Sequence, residues 1–352
     1  MSEQQPTPGR FRIEIDDLTA AKAPILVHTL RGSLDAGGVG ELVSQHLLDS
    51  LPATRIVTFS ADEFIDYRSR RPAMTFEEFR YTDYAAPVIA LDLLHDDEGR
   101  PLLLLHGPEP DLKWDAFTGD LIALVRDLGV NLTIGVHGIP AAVPHTRPTT
   151  ITTHGSTIDQ VSDRRAIMLG RIQVPGTLSG LIEYRVAEAG YDAAGLSANV
   201  PHYLAQTEFP QAAAEAVRWL ARAGDLSLPV GELEAAAAEV NAQIAEQLSA
   251  NPEIGAVVGA LEQQYDSWSL HADGGAPGTA RPSLAGRPVD IPSADEIGAE
   301  AEAFLAELTG KSGQHPAAGA GEGAASYGRA DSGDAGDADE MGPSGEAGPS
   351  GG

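Results

Sequence analysis

Apolar positions along the chain recur in two rhythms, and the change between them organises the molecule. Up to about residue 205, short β-branched runs alternate with helical patterns. Pro24–Leu30 (PILVHTL), Thr54–Phe59 (TRIVTF), Pro87–Leu94, Pro101–His106 and Asn131–Val136 read as strands, and Gly170–Val174 and Leu196–Val200 as two more. Gly40–Leu51, Trp114–Leu128 and Thr177–Ala189 read as helices between them, the second stopped by Gly129. Alternation of this kind predicts an α/β domain with a mostly parallel sheet and helices on both faces. Asp97-Glu98-Gly99 is a turn signal, so the strands on either side form a hairpin and the sheet is mixed. Past Pro210 the rhythm is purely helical, over Ala212–Arg222, Val230–Gln247 and Pro252–Trp268. The predicted organisation is an extension over 1–23, an α/β core over 24–205, a helical part over 206–270, a linker over 271–292, a short amphipathic helix over 293–309 and a disordered acidic tail over 310–352.

Composition narrows the chemistry. The chain has 352 residues, a net charge of −28 and no cysteine. Thiolate nucleophiles, disulfides and cysteine-held metals are excluded. The acidity argues against nucleic acid and against an anionic membrane, because phosphate neutralisation needs a basic face. Met1–Arg10 lacks the apolar stretch of a secretion signal, and no run reaches the roughly 20 apolar residues of a membrane span. A cytoplasmic protein is expected.

Ligand and partner sites of open α/β sheets lie beyond the carboxyl ends of the strands. Five polar segments stand there. Ser33–Gly40 (SLDAGGVG) turns into a helix, with Asp35 placed to cap it or to hold a neighbouring loop, and it matches no phosphate-loop pattern. Asp66–Pro72 (DYRSRRP) brings Asp66, Arg68 and Arg71 together, and arginine forks pair with carboxylates or phosphates. In Gly107–Trp114 (GPEPDLKW), prolines on both sides hold Glu109 rigidly. His137–His154 contains PHTRP, with His145 and Arg147 between prolines. Its histidines are 8 and 9 residues apart, which matches no helical metal pair, so no metal and no cofactor is expected. Asn199–Leu204 places His202 after a further proline.

In this order, DAGGVG, DYRSRRP, LLLLHGPEPDLKW, VPHTRP and VPHYL followed by FPQAAAEAVRWL, the segments over about 24–270 resemble the proteasome assembly chaperone 2 family, and its actinobacterial members in particular. The resemblance implies a three-layer αβα fold of the phosphorylase/hydrolase-like type, a helical C-terminal part, homo-oligomerisation as a trimer, and proteasome α subunits as partners. One departure is that docking relatives end in a hydrophobic residue, Tyr and any residue, whereas this chain ends Pro349-Ser350-Gly351-Gly352.

Two function classes follow. One is a protein-binding module that works by oligomerisation and contact, without chemistry. The other is an enzyme or sensor for a small anionic metabolite, with Glu109, His145 or His202 as acid–base candidates and Arg68 or Arg147 holding the anion. The second class requires these loops to share one pocket. No nucleophile elbow is present, since GTLSG at 176–180 does not fit GxSxG.

Overall fold

The computed structural model describes residues 9–32, 34–157, 171–250 and 252–273. The chain divides into two compact units, 1–281 and 282–352, and all described residues lie in the first. The predicted helix over 293–309 and the acidic tail fall outside the described residues, as does the linker from residue 274 onward.

An eight-stranded mixed sheet forms the middle layer. Its strands are β1 (Phe11–Ile13), β2 (Ile25–Arg31), β3 (Ala53–Phe59), β6 (Ile89–His95), β7 (Pro101–Pro108), β8 (Leu132–Ala141), β9 (Ile151–Gly155) and β10 (Asp192–Pro201). They lie in the order β1-β3-β6-β7-β2-β8-β10-β9. The central strands β7, β2, β8 and β10 run parallel, and the strands outside them are antiparallel. The continuous buried run Leu102–Leu105 is what a strand covered on both faces requires. A second, two-stranded sheet pairs β4 (Met74–Glu77) with β5 (Arg80–Tyr84) and joins no other strand.

Helices cover both faces. α1 (Val39–Ser50) and α5 (Pro210–Gly224) bury Val39, Val43, Leu47, Val217 and Leu220 against Val27, Leu104, Ile134 and Leu196. α3 (Trp114–Asp127) and α4 (Leu178–Glu188) bury Phe117, Leu121, Leu178 and Ile182 against Leu26, Leu103 and Leu105 on the other side. This is the three-layer αβα arrangement. A short helix α2 (Ala61–Phe64) follows β3, while α6 (Gly231–Ala250) and α7 (Pro252–Asp273) extend the α5 side. No helix among the described residues is long and apolar enough to cross a membrane.

The expected strand at Gly170–Val174 is a correction. Residues 171–176 are irregular, and Ile172 and Val174 are exposed. Their alternate spacing imitates a strand, but no strand of the sheet pairs with them. In the other direction, β8 and β10 run past their predicted ends. Pro140 and Pro201, read from sequence as loop residues, lie at the strand tips opposite Val200 and Ala141, where a missing amide costs little.

Candidate functional site

At the carboxyl end of β2 the chain makes a tight 3-10 turn, Ala36–Gly38, before α1. Asp35 accepts hydrogen bonds from the amides of Gly40 (2.9 Å), Glu41 (3.3 Å) and, across to β8, Gly138 (2.9 Å). It therefore does both things the sequence suggested. It caps α1 and ties that turn to a neighbouring strand. Burial pushes its carboxyl up in pKa, and the three amides oppose that shift. Gly138 is obligatory in this contact, because a Cβ there would collide with the backbone carbonyl of Ala36.

Glu109 is buried beyond β7. Its Oε1 accepts a 2.6 Å hydrogen bond from the amide of Leu178, the first residue of α4, and the carboxylate packs where Gly32 has no side chain. A carboxylate at a helix N-terminus is favoured by the unpaired amides there. The cavity beside it is about 20 Å³, with room for about one water molecule, and is lined by Gly32, Glu109, His137, Thr177 and Ser179 among others.

The PHTRP segment is bound in a different place. His145 is buried, and both its backbone amide (3.0 Å) and its Nδ1 (2.8 Å) meet the Tyr203 hydroxyl. The exposed His202 ring is 5.4 Å from the Tyr203 ring, edge to face, so both candidate histidines contact one tyrosine. Arg147 forks onto Asp266 of α7 through two 2.7 Å bonds and reaches Glu262 at 3.3 Å. Gln211 of α5 donates to the carbonyls of His145 (3.3 Å) and Arg147 (3.0 Å). The segment is a latch between the sheet and the C-terminal helices.

Asp66 belongs to a third cluster. Its amide donates to Asp111 (3.0 Å), its carboxylate accepts from the amide of Arg68 (2.9 Å), and Arg70 pairs with Asp111 at 2.9 Å. Arg68 and Arg71 are exposed and make no ion pair among the described residues. Arg71 borders a cleft of about 600 Å³, into which Arg31 of β2, Arg55 of β3, Arg70 and His106 of β7 also open. Behind two of these lining residues, buried Asp92 of β6 is held by Arg55 (3.0 Å) and His106 (2.8 Å). Burial works against ionisation of Asp92, but the hydrogen bonds from His106 and Arg55 outweigh it and keep the carboxyl below its ordinary range. Glu41, paired with Arg31 at 2.5 Å, Ser44 and Gln45 line the α1 side, and Leu48, Ile65 and Val88 add an apolar stretch.

The five candidate segments thus do not form one pocket. Glu109 is fixed to α4 on one face of the sheet. Arg147 is fixed to α7, beside α5, on the other. Asp66, Arg68 and Arg71 lie by the cleft at a third place. Sequence reading missed Arg31, Arg55 and His106, which come from three separate strands and meet only in the fold. It also missed Tyr203. Among the described residues no three His, Asp or Glu side chains cluster so as to hold a metal ion.

The profile of the PAC2 family matches residues 29–248. A Mycobacterium tuberculosis protein of unknown function is 41% identical, with 78% of this chain and 94% of that one covered and a TM-score of 0.68. A Corynebacterium glutamicum protein of unknown function is 37% identical, with 75% and 99% covered and a TM-score of 0.69. A Mycobacterium tuberculosis proteasome-assembly chaperone homologue is 24% identical, with 66% and 99% covered and a TM-score of 0.60, a likeness of fold. A search of curated proteins finds no match.

Proposed function

The chain belongs to the PAC2 family, and from that premise we propose that it is a cytoplasmic protein-binding module with a proteasome-chaperone-like role, acting by self-association and protein contact without chemistry of its own. One observation carries this reading. The β4–β5 hairpin presents Met74, Phe76, Phe79, Tyr81 and Tyr84 to solvent, each between 47% and 78% exposed. Contiguous apolar surface of this kind marks a contact site in a soluble protein. The small-anion alternative has less support at the strand ends, where Asp35, Glu109, His145 and Arg147 are already hydrogen-bonded into the scaffold. Trimeric assembly and proteasome α subunits as the external partner complete the proposal.

Affinity purification of the full chain from its native host tests the external partner. Recovery of proteasome α subunits with wild-type protein, above a mock preparation from the same host, is the expected result. Equal absence of α subunits from both preparations would remove the proteasome from this reading.

A further inference from the structure

The hairpin does not stabilise itself. It pairs with no strand of the main sheet, and a lone two-stranded ribbon is marginal in water. Beyond its own backbone pairing and a side-chain hydrogen bond of Tyr84 at its root with Tyr67, its support includes an edge-to-face pair, Phe76 on Tyr81 at 5.0 Å, and the Arg80 guanidinium 6.0 Å from the Phe79 ring. At its tip Glu78 is in the left-handed region (φ 51°), which a residue with a Cβ disfavours. A ribbon so built gains its order from what it packs against.

Charge indicates the receptor. From Met74 to Tyr84 the hairpin carries Glu77, Glu78 and Asp83 against Arg80 alone. In a chain with 51 acids and 23 bases, one concavity gathers four arginines, of which Arg31 pairs with Glu41 of the same lining, Arg55 with Asp92 and Arg70 with Asp111, so that the charge offered to an acidic visitor is that of Arg71. That concavity is the cleft of Arg31, Arg55, Arg70 and Arg71, with Arg71 unpaired among the described residues and an apolar wall of Leu48, Ile65 and Val88. Pro72, Ala85 and Ala86, the root of the hairpin, form one side of the same cleft. The hairpin therefore departs from its own cleft, and a second copy is the source of the strand that enters it. We infer that the β4–β5 hairpin of one copy seats in the arginine-lined cleft of another, with Glu77 and Glu78 against Arg71 and with Phe76, Phe79 and Tyr81 covering the apolar wall. Each copy gives a hairpin and receives one. This inference rests on the self-association proposed above and names the two surfaces that make it.

Sedimentation of the full-length chain over a concentration series tests it, with circular dichroism as a check on folding. Wild type is expected to associate. Phe79→Ser and Glu77→Arg are each expected to weaken association about tenfold or more, as is Arg71→Glu on the cleft side, since like charges brought together in an interface are strongly unfavourable. The charge exchange Glu77→Arg with Arg71→Glu is expected to regain most of the loss. A wild-type chain that stays monomeric at every concentration removes the self-association reading itself. An associated wild type that none of these substitutions weakens leaves self-association standing and overturns the hairpin inference. Loss with Phe79→Ser but neither loss with Arg71→Glu nor recovery in the exchange variant overturns the cleft as receptor.

Discussion

His154 of β9 lies across Gly195 of β10, its register partner, in the space a side chain there would fill. The arrangement is part of a row. His28 of β2, Gly135 of β8, Gly195 and His154 follow one another straight across four strands. α4 lays Ser179 and Glu183, one turn apart, over the two rings. Ser179 Oγ is 3.4 Å from His28 Nδ1, and Glu183 Oε2 is 2.8 Å from His154 Nδ1. A polar seam is thereby set inside an otherwise apolar helix–sheet contact.

Gly195→Ala would put a methyl group into the His154 ring and displace it from Glu183. The expected cost is about 1–3 kcal/mol, the range for overpacking in a filled interior. The double variant Gly195→Ala, His154→Ala should be more stable than the sum of the two single changes, because the second removes the ring that the first strikes. Urea denaturation of the four proteins in the cycle checks this, and strict additivity would contradict it.

The same seam sets a pH dependence. Burial, and then the neighbouring His137, lowers His28 to about 3, while burial, and then His154, lowers His137 to about 4. Both therefore fold as neutral rings. Their folded values lie below the unfolded one of about 6.5, so their contribution is present above that pH and is lost as pH falls towards about 4. His154 has the opposite sign. Its hydrogen bond to Glu183 raises it, so its contribution is present below about 6.5 and is lost as pH rises through its folded value. Thermal unfolding is expected to show falling stability from pH 6.5 to 4, with a shallower fall in His137→Asn. An unchanged slope in that variant would show that His137 is not one of the titrating groups.

Legibility in the sequence followed how local each feature is. Leu102–Leu105 could be read as a strand because four consecutive apolar residues suit only a strand buried on both faces. The hairpin turn at Gly99 could be read because its positive φ demands that residue. β9 is built from Ile151, Thr152, Thr153, His154 and Gly155, a polar run that β10 converts into an edge strand by pairing. β4 and β5 escaped notice because Glu78-Phe79 is not a turn dipeptide with a backbone reason to bend. The cleft was invisible for another reason. Arg31, Arg55 and His106 become neighbours only through the strand order β3-β6-β7-β2, and no window of sequence contains that order.

Asp35→Ala would leave the amides of Gly40, Glu41 and Gly138 without their acceptor. A loss of about 3 kcal/mol is expected, since each unsatisfied buried donor costs about 1–3 kcal/mol and part of the turn can admit water. Asp35→Asn keeps one acceptor oxygen and should lose less. Chemical denaturation of both variants measures the difference, and equal stability of the two would mean that neither side-chain shape nor a neutral acceptor oxygen holds the turn.

Arg147→Ala should act locally. Ion pairs of this exposure contribute about 0–1 kcal/mol each, so the melting temperature should move little. Hydrogen exchange in α7 should nevertheless speed up, because the fork onto Asp266 and Glu262 fastens that helix to the PHTRP segment together with Thr146 on Glu262 and Tyr265 on the Pro148 carbonyl. Unaltered exchange in α7 would mean that its packing on α6 and the bonds from Thr146 and Tyr265 hold the helix without the arginine.

The place of β2 in the sheet has a consequence for synthesis. Leu26 pairs with Leu103 on one side and with Thr133 on the other, so the strand that leaves the ribosome first among the central four is flanked by strands made much later. Until β8 has emerged, one edge of an apolar strand stands open, and open edges invite pairing with other chains. β6 and β7, joined by a tight turn, can pair as soon as they appear. The nascent chain therefore passes through an interval in which a finished hairpin waits beside an unfinished centre. Its yield in cells should depend on how long translation takes to travel from β2 to β8.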